Sequence, residues 1–426
     1  MLRLLYSAAV CVAAPLVLGA TSLRGVRDAS YRDRLAERLG FTRVRFESQP
    51  IWVHAVSVGE VQAAAALVRA LQARYQHPLL ITTATPTGAQ RAAALFGDSV
   101  RHAYLPYDTP GAVKRFLNRT QPRIAVIMER EIWPNLFHHC AQRRIPVVLT
   151  SARISAASAR RHMSLAALFR PALAQNVTIG AQTGADAERY AALGAPLSAV
   201  HVTGNIKFDL EIAETVRREG ETLRREQFAS RPIWVAGSTH EAEEGVLLDA
   251  HERVRAVQPD ALLILVPRHP NRFAQVAAWL QSRRVQYVAR SSGAPVERRH
   301  EVLLADTLGE LVMLYAAADV AFVGGSLAPV GGHNLLEPAA LARPILVGPH
   351  NFNAPDIARM FLENGGALQV SSAEELATQL LDLFDDPDRR QQLGALARSV
   401  VDDNRGALER ALQLIDAARA APDVKA

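Results

Sequence analysis

Cysteine is nearly absent: Cys11 and Cys140 are the only two in 426 residues. Two thiols without metal-type spacing exclude a disulfide framework and a structural zinc, and they suit a reducing compartment. Lysine is also scarce, three of 48 basic residues, at Lys114, Lys207 and Lys425. The net charge of +6 is therefore carried by arginine, and it points toward acidic partners: nucleic acid, anionic lipid or a phosphorylated substrate. No G-x-G-x-x-G stands in the first turn of either half of the chain, which argues against a NAD or FAD enzyme. The one D-x-D, Asp386-Pro387-Asp388, falls in a turn between C-terminal helices, where helix capping accounts for it. There is no internal repeat beyond a shared PIWV, and no low-complexity tract beyond alanine richness.

Charge is missing from Leu4 to Leu23, close to the roughly 20 apolar residues that cross a bilayer. Arg3 flanks this run on one side, and Arg24, Arg27, Arg32, Arg34 and Arg38 follow on the other. The positive-inside rule keeps the arginine-rich side in the cytoplasm. The rival reading is a cleaved signal peptide, because Val17-Leu18-Gly19-Ala20 ends in small residues. Arginines directly after a long apolar run favour retention, so residues 1–23 read as a transmembrane anchor.

What is present is a globular composition, 49% hydrophobic and 21% charged. The first half alternates strand-like runs (PIWVHAVS, PLLITTA, RIAVIME, IPVVLTS, NVTIGA, AVHVTG) with helical ones, which implies a parallel sheet covered by helices. The second half begins again with PIWVAGS and continues through ALLILVPRH, VQYVARS, ADVAFVGGS and PILVGPH. An α/β chain of two doubly wound domains results, over 24–215 and 232–426, with the polar stretch 216–231 as a linker. The segment 151–174 breaks the rhythm. Its Arg153, Arg160, Arg161 and Arg170, mixed with Met163, Leu165, Leu168 and Phe169, fit either a membrane-surface helix or an ordinary amphipathic one.

Ligands of open α/β sheets bind beyond the carboxyl ends of strands, so polar residues there are the candidates. After the first strand stand Ser57, Gly59 and Glu60. Glu60 reads either as a carboxylate favoured by a helix N-terminus or as a general base. Glu129, Arg130 and Glu131 follow RIAVIM, as an ion pair or as acid–base carboxylates. Lys207, in VTGNIKFD, is notable in a chain so poor in lysine. Ser238, Thr239, His240 and Glu241 open the second half. Arg268 and His269 end ALLILVP, where a guanidinium suits a phosphate. Asp306 or Thr307 is expected to cap a helix whose first turn is Leu308, Gly309 and Glu310. A helix is expected from about Asn334 to Leu341, with Asn334, Leu335, Leu336 and Glu337 in its first turn and Glu337 placed to bind ribose hydroxyls. Each has a plain alternative, a surface lysine for Lys207, a solvated loop arginine for Arg268, helix capping for the Asp306–Glu310 turn and a helix-terminal carboxylate without ligand for Glu337; several such strand-end clusters in one domain suggest a nucleotide site.

The stretches WVHAVSVGE, TTATPTGAQRA, YLPYDTP, MEREIWPN, SARIS, VTGNIKFD, VAGSTHEAEE, LVPRHPNRF, DTLGEL, AFVGGS and GGHNLLEP span nearly the whole chain. In them the sequence resembles the 3-deoxy-D-manno-octulosonate (Kdo) transferases that act on the lipid A precursor. The resemblance implies a GT-B glycosyltransferase, two Rossmann-like domains facing a cleft, the first for the acceptor and the second for the donor. It implies CMP-Kdo as co-substrate and a tetraacyl disaccharide bisphosphate as acceptor, at the cytoplasmic side of the inner membrane, without nucleic acid. Glu60 would be the base. Arg268, His269, the Leu308-Gly309-Glu310 turn and Asn334 to Glu337 would hold CMP. Ser57, Gly59, Glu129, Arg130, Lys207, Ser238 and Thr239 would line the cleft. Fixed donors would do the work of a metal, so neither metal nor cofactor is expected. The alternative is another nucleotide-sugar enzyme of the same architecture, a UDP-sugar transferase or epimerase.

Overall fold

Apolar runs become the strands of two separate parallel sheets in the computed structural model, which describes residues 1–420. The first sheet contains β1 (Ile51–His54), β2 (Leu79–Thr83), β3 (Arg101–Tyr104), β4 (Ile124–Met128), β5 (Val147–Ala152), β6 (Val177–Ala181) and β7 (Val200–Val202). Their order is β3-β2-β1-β4-β5-β6-β7. The second contains β8 (Ile233–Thr239), β9 (Leu262–Pro267), β10 (Tyr287–Ala289), β11 (Val302–Leu304), β12 (Val320–Val323), β13 (Ile345–Val347) and β14 (Ala367–Gln369). It runs β10-β11-β9-β8-β12-β13-β14. Strand order reverses direction at β1/β4 in one sheet and at β8/β12 in the other. Side-chain alternation splits each strand between two cores. Trp52 packs with Phe116 on one face of the first sheet, while Ile51 and Val53 join Leu67 and Val126 on the other.

Two compact units form, Met1–Asp209 with Asn404–Ala426, and Leu210–Asp403. This division differs from the expected one at both ends of the second domain. Residues 216–231 are no linker: helix Glu214–Leu223 packs on helix Leu311–Ala317 so closely that a Cβ on Gly220 would meet Ala316 at 2.5 Å. The Arg224–Asp319 ion pair at 3.0 Å extends that contact. The last helix, Ala407–Ala420, belongs to the first unit. Its Ala407, Ala411, Leu412 and Ile415 are buried among Ile51, Ile81, Val126 and Val148, and each fully buried leucine or isoleucine contributes roughly 1.5–3 kcal/mol. Asp209 accepts the amides of Gly406 and Leu408, both at 2.6 Å, and fixes where this helix starts.

Helix Leu2–Arg27 is long and apolar enough to cross a membrane. It is also docked along one stripe to the first unit. Tyr6 donates to Asp108 at 2.9 Å and Ser7 to Asn135 at 2.8 Å, while the Thr21 and Tyr107 hydroxyls lie 3.2 Å apart. Leu4, Leu5, Val12, Leu16 and Leu23 are exposed. Of the arginines that follow, Arg34 pairs with Glu37 at 2.7 Å and Arg38 is buried over the ring of Tyr104. The irregular segment resolves into two short helices, Ala156–Met163 and Ala166–Leu173.

Candidate functional site

Each sheet presents a cluster of polar residues at its own reversal point, where diverging crossovers leave the strand ends open. In the first unit the residues come from β1 and β4, which are hydrogen-bonded neighbours. Chain leaving β1 enters helix Val58–Arg74 with Ser57 as its N-cap. Glu60 lies in the first turn, half-buried, and its Oε2 accepts the amide of Val56 at 2.8 Å. Burial pushes this carboxyl up to about 7; the Val56 bond opposes the rise, Glu129 and Glu131 add to it, and Lys207 opposes it.

Glu129 follows β4 in a left-handed conformation at φ +57°, a backbone that costs about 1 kcal/mol or more outside glycine. Its buried carboxylate receives Lys207 Nζ at 2.7 Å and Arg153 Nε at 3.5 Å. Lys207 is held there by a short 3-10 turn whose Ile206 amide donates to Ser151, itself at φ +49°. Glu131 is raised by burial, an effect that Arg130 and Trp133 oppose. Arg130 is exposed. Gly59 is exposed, and a Cβ there would meet nothing within 4 Å, so packing does not require glycine. Glu60, Glu129, Glu131 and Lys207 thus form one electrostatically coupled group.

In the second unit, β8 ends in Ser238 (φ +59°) and Thr239, and helix Glu241–Val257 follows. Thr239 is fully buried; its carbonyl accepts the amide of Arg268, and its hydroxyl donates to Glu244 at 3.1 Å. Arg268 and His269 are exposed just beyond β9. His333, from the loop after β12, has its Nε2 at 2.9 Å from His240 Nε2, and the two rings stack. Burial, then the charge of Arg268, pushes His333 down to about 4; His269 is lowered by the same two causes. Glu337 is raised by burial, against the pull of Asn334 and Arg268. Arg268, His269, His240, His333 and Glu337 therefore share one patch.

Two expected helix starts are displaced. The helix after β11 begins at Leu311, not Thr307, so Leu308, Gly309 (φ +88°) and Glu310 precede it as a loop, with Leu308 exposed. The Glu310 carboxylate is engaged by Arg290 at 2.9 Å and by the Thr307 hydroxyl, and the Arg290 bonds hold it below the usual range. The segment after β12 is helical only over Leu336–Ala340; Asn334 and Leu335 precede that turn, and Asn334 Oδ1 accepts the amide of Leu336 at 3.1 Å. Pro338 within so short a turn, and Arg343-Pro344 just after it, limit its length. Asp386 caps the helix that contains Asp388, accepting the Arg389 amide at 2.9 Å.

Sequence reasoning missed Glu243, Glu244 and Arg272. Arg272 forms a two-pronged ion pair with the buried Glu244, both contacts at 2.8 Å, which ties the segment after Arg268 and His269 to the helix after β8. The available signal was the spacing His240-x-x-Glu243, the capping-box interval.

Residues 33–210 match the family model described as 3-deoxy-D-manno-octulosonic-acid transferase (kdotransferase). A 3-deoxy-D-manno-octulosonic acid transferase of Haemophilus influenzae is 43% identical over 97% of this chain and 98% of its own. One from Bordetella pertussis is 42% identical over 86% of this chain and 87% of its own. Among solved structures, a glycosyltransferase from Rickettsia africae matches 88% of this chain and 100% of its own with TM-score 0.57 at 14% identity, a likeness of fold. A 43% identical match to the Haemophilus protein over nearly the full length of both chains, together with two Rossmann-like domains of GT-B type, decides the matter: the chain belongs to the 3-deoxy-D-manno-octulosonic acid transferase family and is a glycosyltransferase.

Proposed function

We propose that the protein transfers Kdo, with inversion, from CMP-Kdo to a hydroxyl of a tetraacyl disaccharide bisphosphate, the lipid A precursor of lipopolysaccharide, with Glu60 as general base. The observation that carries this reading is the Glu60 carboxyl itself: in the first turn of the helix that follows a central strand and raised to about 7, it is matched to taking a proton near neutral pH. In the step, Glu60 removes the proton of the acceptor hydroxyl as that oxygen bonds to the anomeric carbon of Kdo. The bond from that carbon to the phosphate oxygen breaks, and CMP leaves with the electron pair. Arg268 and the amides of Leu308, Gly309 and Glu310 meet the charge that grows on the phosphate, so no bound metal or cofactor is required. Glu337 accepts from ribose hydroxyls, supported by its position beside Arg268.

The first domain then takes the acceptor, with Ser57, Gly59, Glu129, Arg130 and Lys207 around Glu60, and the second takes the donor, with Ser238, His269 and Asn334 to Glu337, while the buried Thr239 only supports Arg268 through its carbonyl. The apolar helix Leu2–Arg27 attaches the enzyme to the inner membrane with both domains on the cytoplasmic side. Its exposed leucines and the exposed Arg160, Arg161 and Arg170 face acyl chains and anionic headgroups.

The test is incubation of the purified protein with the tetraacyl precursor and CMP-Kdo formed in the reaction, with products weighed by mass spectrometry. Mass increments of Kdo are expected, and their number counts the additions. Unchanged acceptor with a folded protein, or heat protection by UDP and not by CMP, would overturn the proposal in favour of a UDP-sugar enzyme.

A further inference from the structure

Glu243 is fully buried in the first turn of helix Glu241–Val257, and it accepts five backbone amides. Oε1 takes Ser326 and Leu327, both at 2.9 Å, and Ala328 at 3.4 Å. Oε2 takes Gly325 at 2.7 Å and His240 at 3.1 Å. Four consecutive amides of the loop after β12 thus converge on one carboxylate, as an anion-binding nest does, except that the anion is a side chain of the same protein. A buried carboxylate satisfied this fully is a strong organiser, because any replacement leaves several desolvated donors unpaired.

What the loop holds follows from its own bonds. The Gly325 carbonyl accepts the amides of Gly331 and Gly332 at 2.8 and 2.6 Å, and the Gly324 carbonyl accepts that of His333 at 3.2 Å. Gly324 leaves no room for a side chain, since its Cβ would stand 2.6 Å from the Ser238 carbonyl. Ser326 bonds to the Val323 carbonyl at 2.6 Å, and its hydroxyl accepts from Gly348 at 2.8 Å, which ties the same loop to the end of β13.

We infer that Glu243 is a positioning residue for donor binding: its carboxylate sets the Gly325–Ala328 peptide, which in turn holds His333 and the Asn334–Glu337 turn beside Arg268. The inference rests on the donor reading of this domain. Glu243→Gln turns amide donors toward backbone donors, whereas Glu243→Asp keeps two acceptor oxygens but withdraws them by one methylene.

The experiment compares the full-length wild type with both variants by hydrogen exchange, by CMP binding, and by KM for donor and acceptor. For Glu243→Gln we expect faster exchange confined to residues 324–337, a donor KM raised ~10-fold and an unchanged acceptor KM, with Glu243→Asp intermediate. Should the glutamine variant fail to fold, the aspartate variant decides alone. Wild-type exchange and wild-type donor KM in a folded variant would overturn the inference, as would faster exchange throughout the domain with both KM values unaltered. A wild type that binds no CMP, with exchange at 324–337 still loosened by the substitution, would instead overturn the donor reading.

Discussion

The two domains share one scaffold and differ in the charges at its reversal point. In the first, Glu129 binds Lys207 while Glu60 feels the charges of Glu129, Glu131 and that lysine, and burial plus repulsion between carboxylates lifts Glu60 to about 7. In the second, burial and the charge of Arg268 push His333 down to about 4, so that ring is neutral at pH 7 and hydrogen-bonds without adding charge. The carboxylates Glu243 and Glu244 are drawn inward there as clamps on loops. The difference teaches that β-strand order supplies only the place. Whether that place moves a proton or holds an anion is decided by which charges are left facing solvent and which are buried.

Breaking this comparison begins with its largest expected effect. Glu60→Gln should lower kcat by about 10³-fold or more while calorimetry still finds CMP bound at wild-type affinity. Loss of both together would remove Glu60 from the role of base. Arg268→Ala should lower kcat/KM for the donor by about 10²-fold with the acceptor KM unchanged; an acceptor defect would erase the contrast between the two sites. A smaller effect sharpens the first site by sign. A base works only when deprotonated, so the acid limb of kcat against pH should lie near the Glu60 value of about 7. Lys207→Met removes the group that opposes the rise, so the limb should move to higher pH and activity at pH 7 should fall a few-fold. Glu131→Gln removes a repelling charge and should move the limb the other way. Movement of both in one direction would show that this cluster does not tune the base. Smallest of all, Asp386→Ala should cost about 1 kcal/mol in thermal unfolding through its lost cap, with transfer unaffected by the substitution or by a chelator. A loss of transfer there would revive metal chemistry for the D-x-D.

The central strands were legible because each is a continuous apolar run buried on both faces. Three others were missed: Arg101–Tyr104 carries arginine and histidine at an edge, Ala367–Gln369 is a three-residue edge, and Val302–Leu304 is as short though flanked on both sides. The candidate residues Glu60, Glu129 and Arg268 were visible as polar groups following such runs, Lys207 by the scarcity of lysine, and Glu337 by its place in an expected first helical turn. Glu243 and Glu244 were not, because EAEE reads as the solvated start of a helix and the loop groups they bury, Arg272 and the Gly325–Ala328 amides, arrive 28 to 85 positions later in the chain. The destination of helix Ala407–Ala420 was equally hidden. Its apolar stripe is plain in sequence, but nothing local says which of two similar sheets it covers.

That last helix has a consequence for the order of synthesis. Ribosomes release the chain from its N-terminus, yet the apolar face formed by Ile51, Ile81, Val126 and Val148, which Leu67 and Phe96 cover early, gains the rest of its cover from residues 407–420. The domain translated first is therefore the one completed last, after the whole of Leu210–Asp403 has emerged. A messenger cut short between residues 403 and 407 yields a nascent chain with its second domain finished and its first still missing the closing helix.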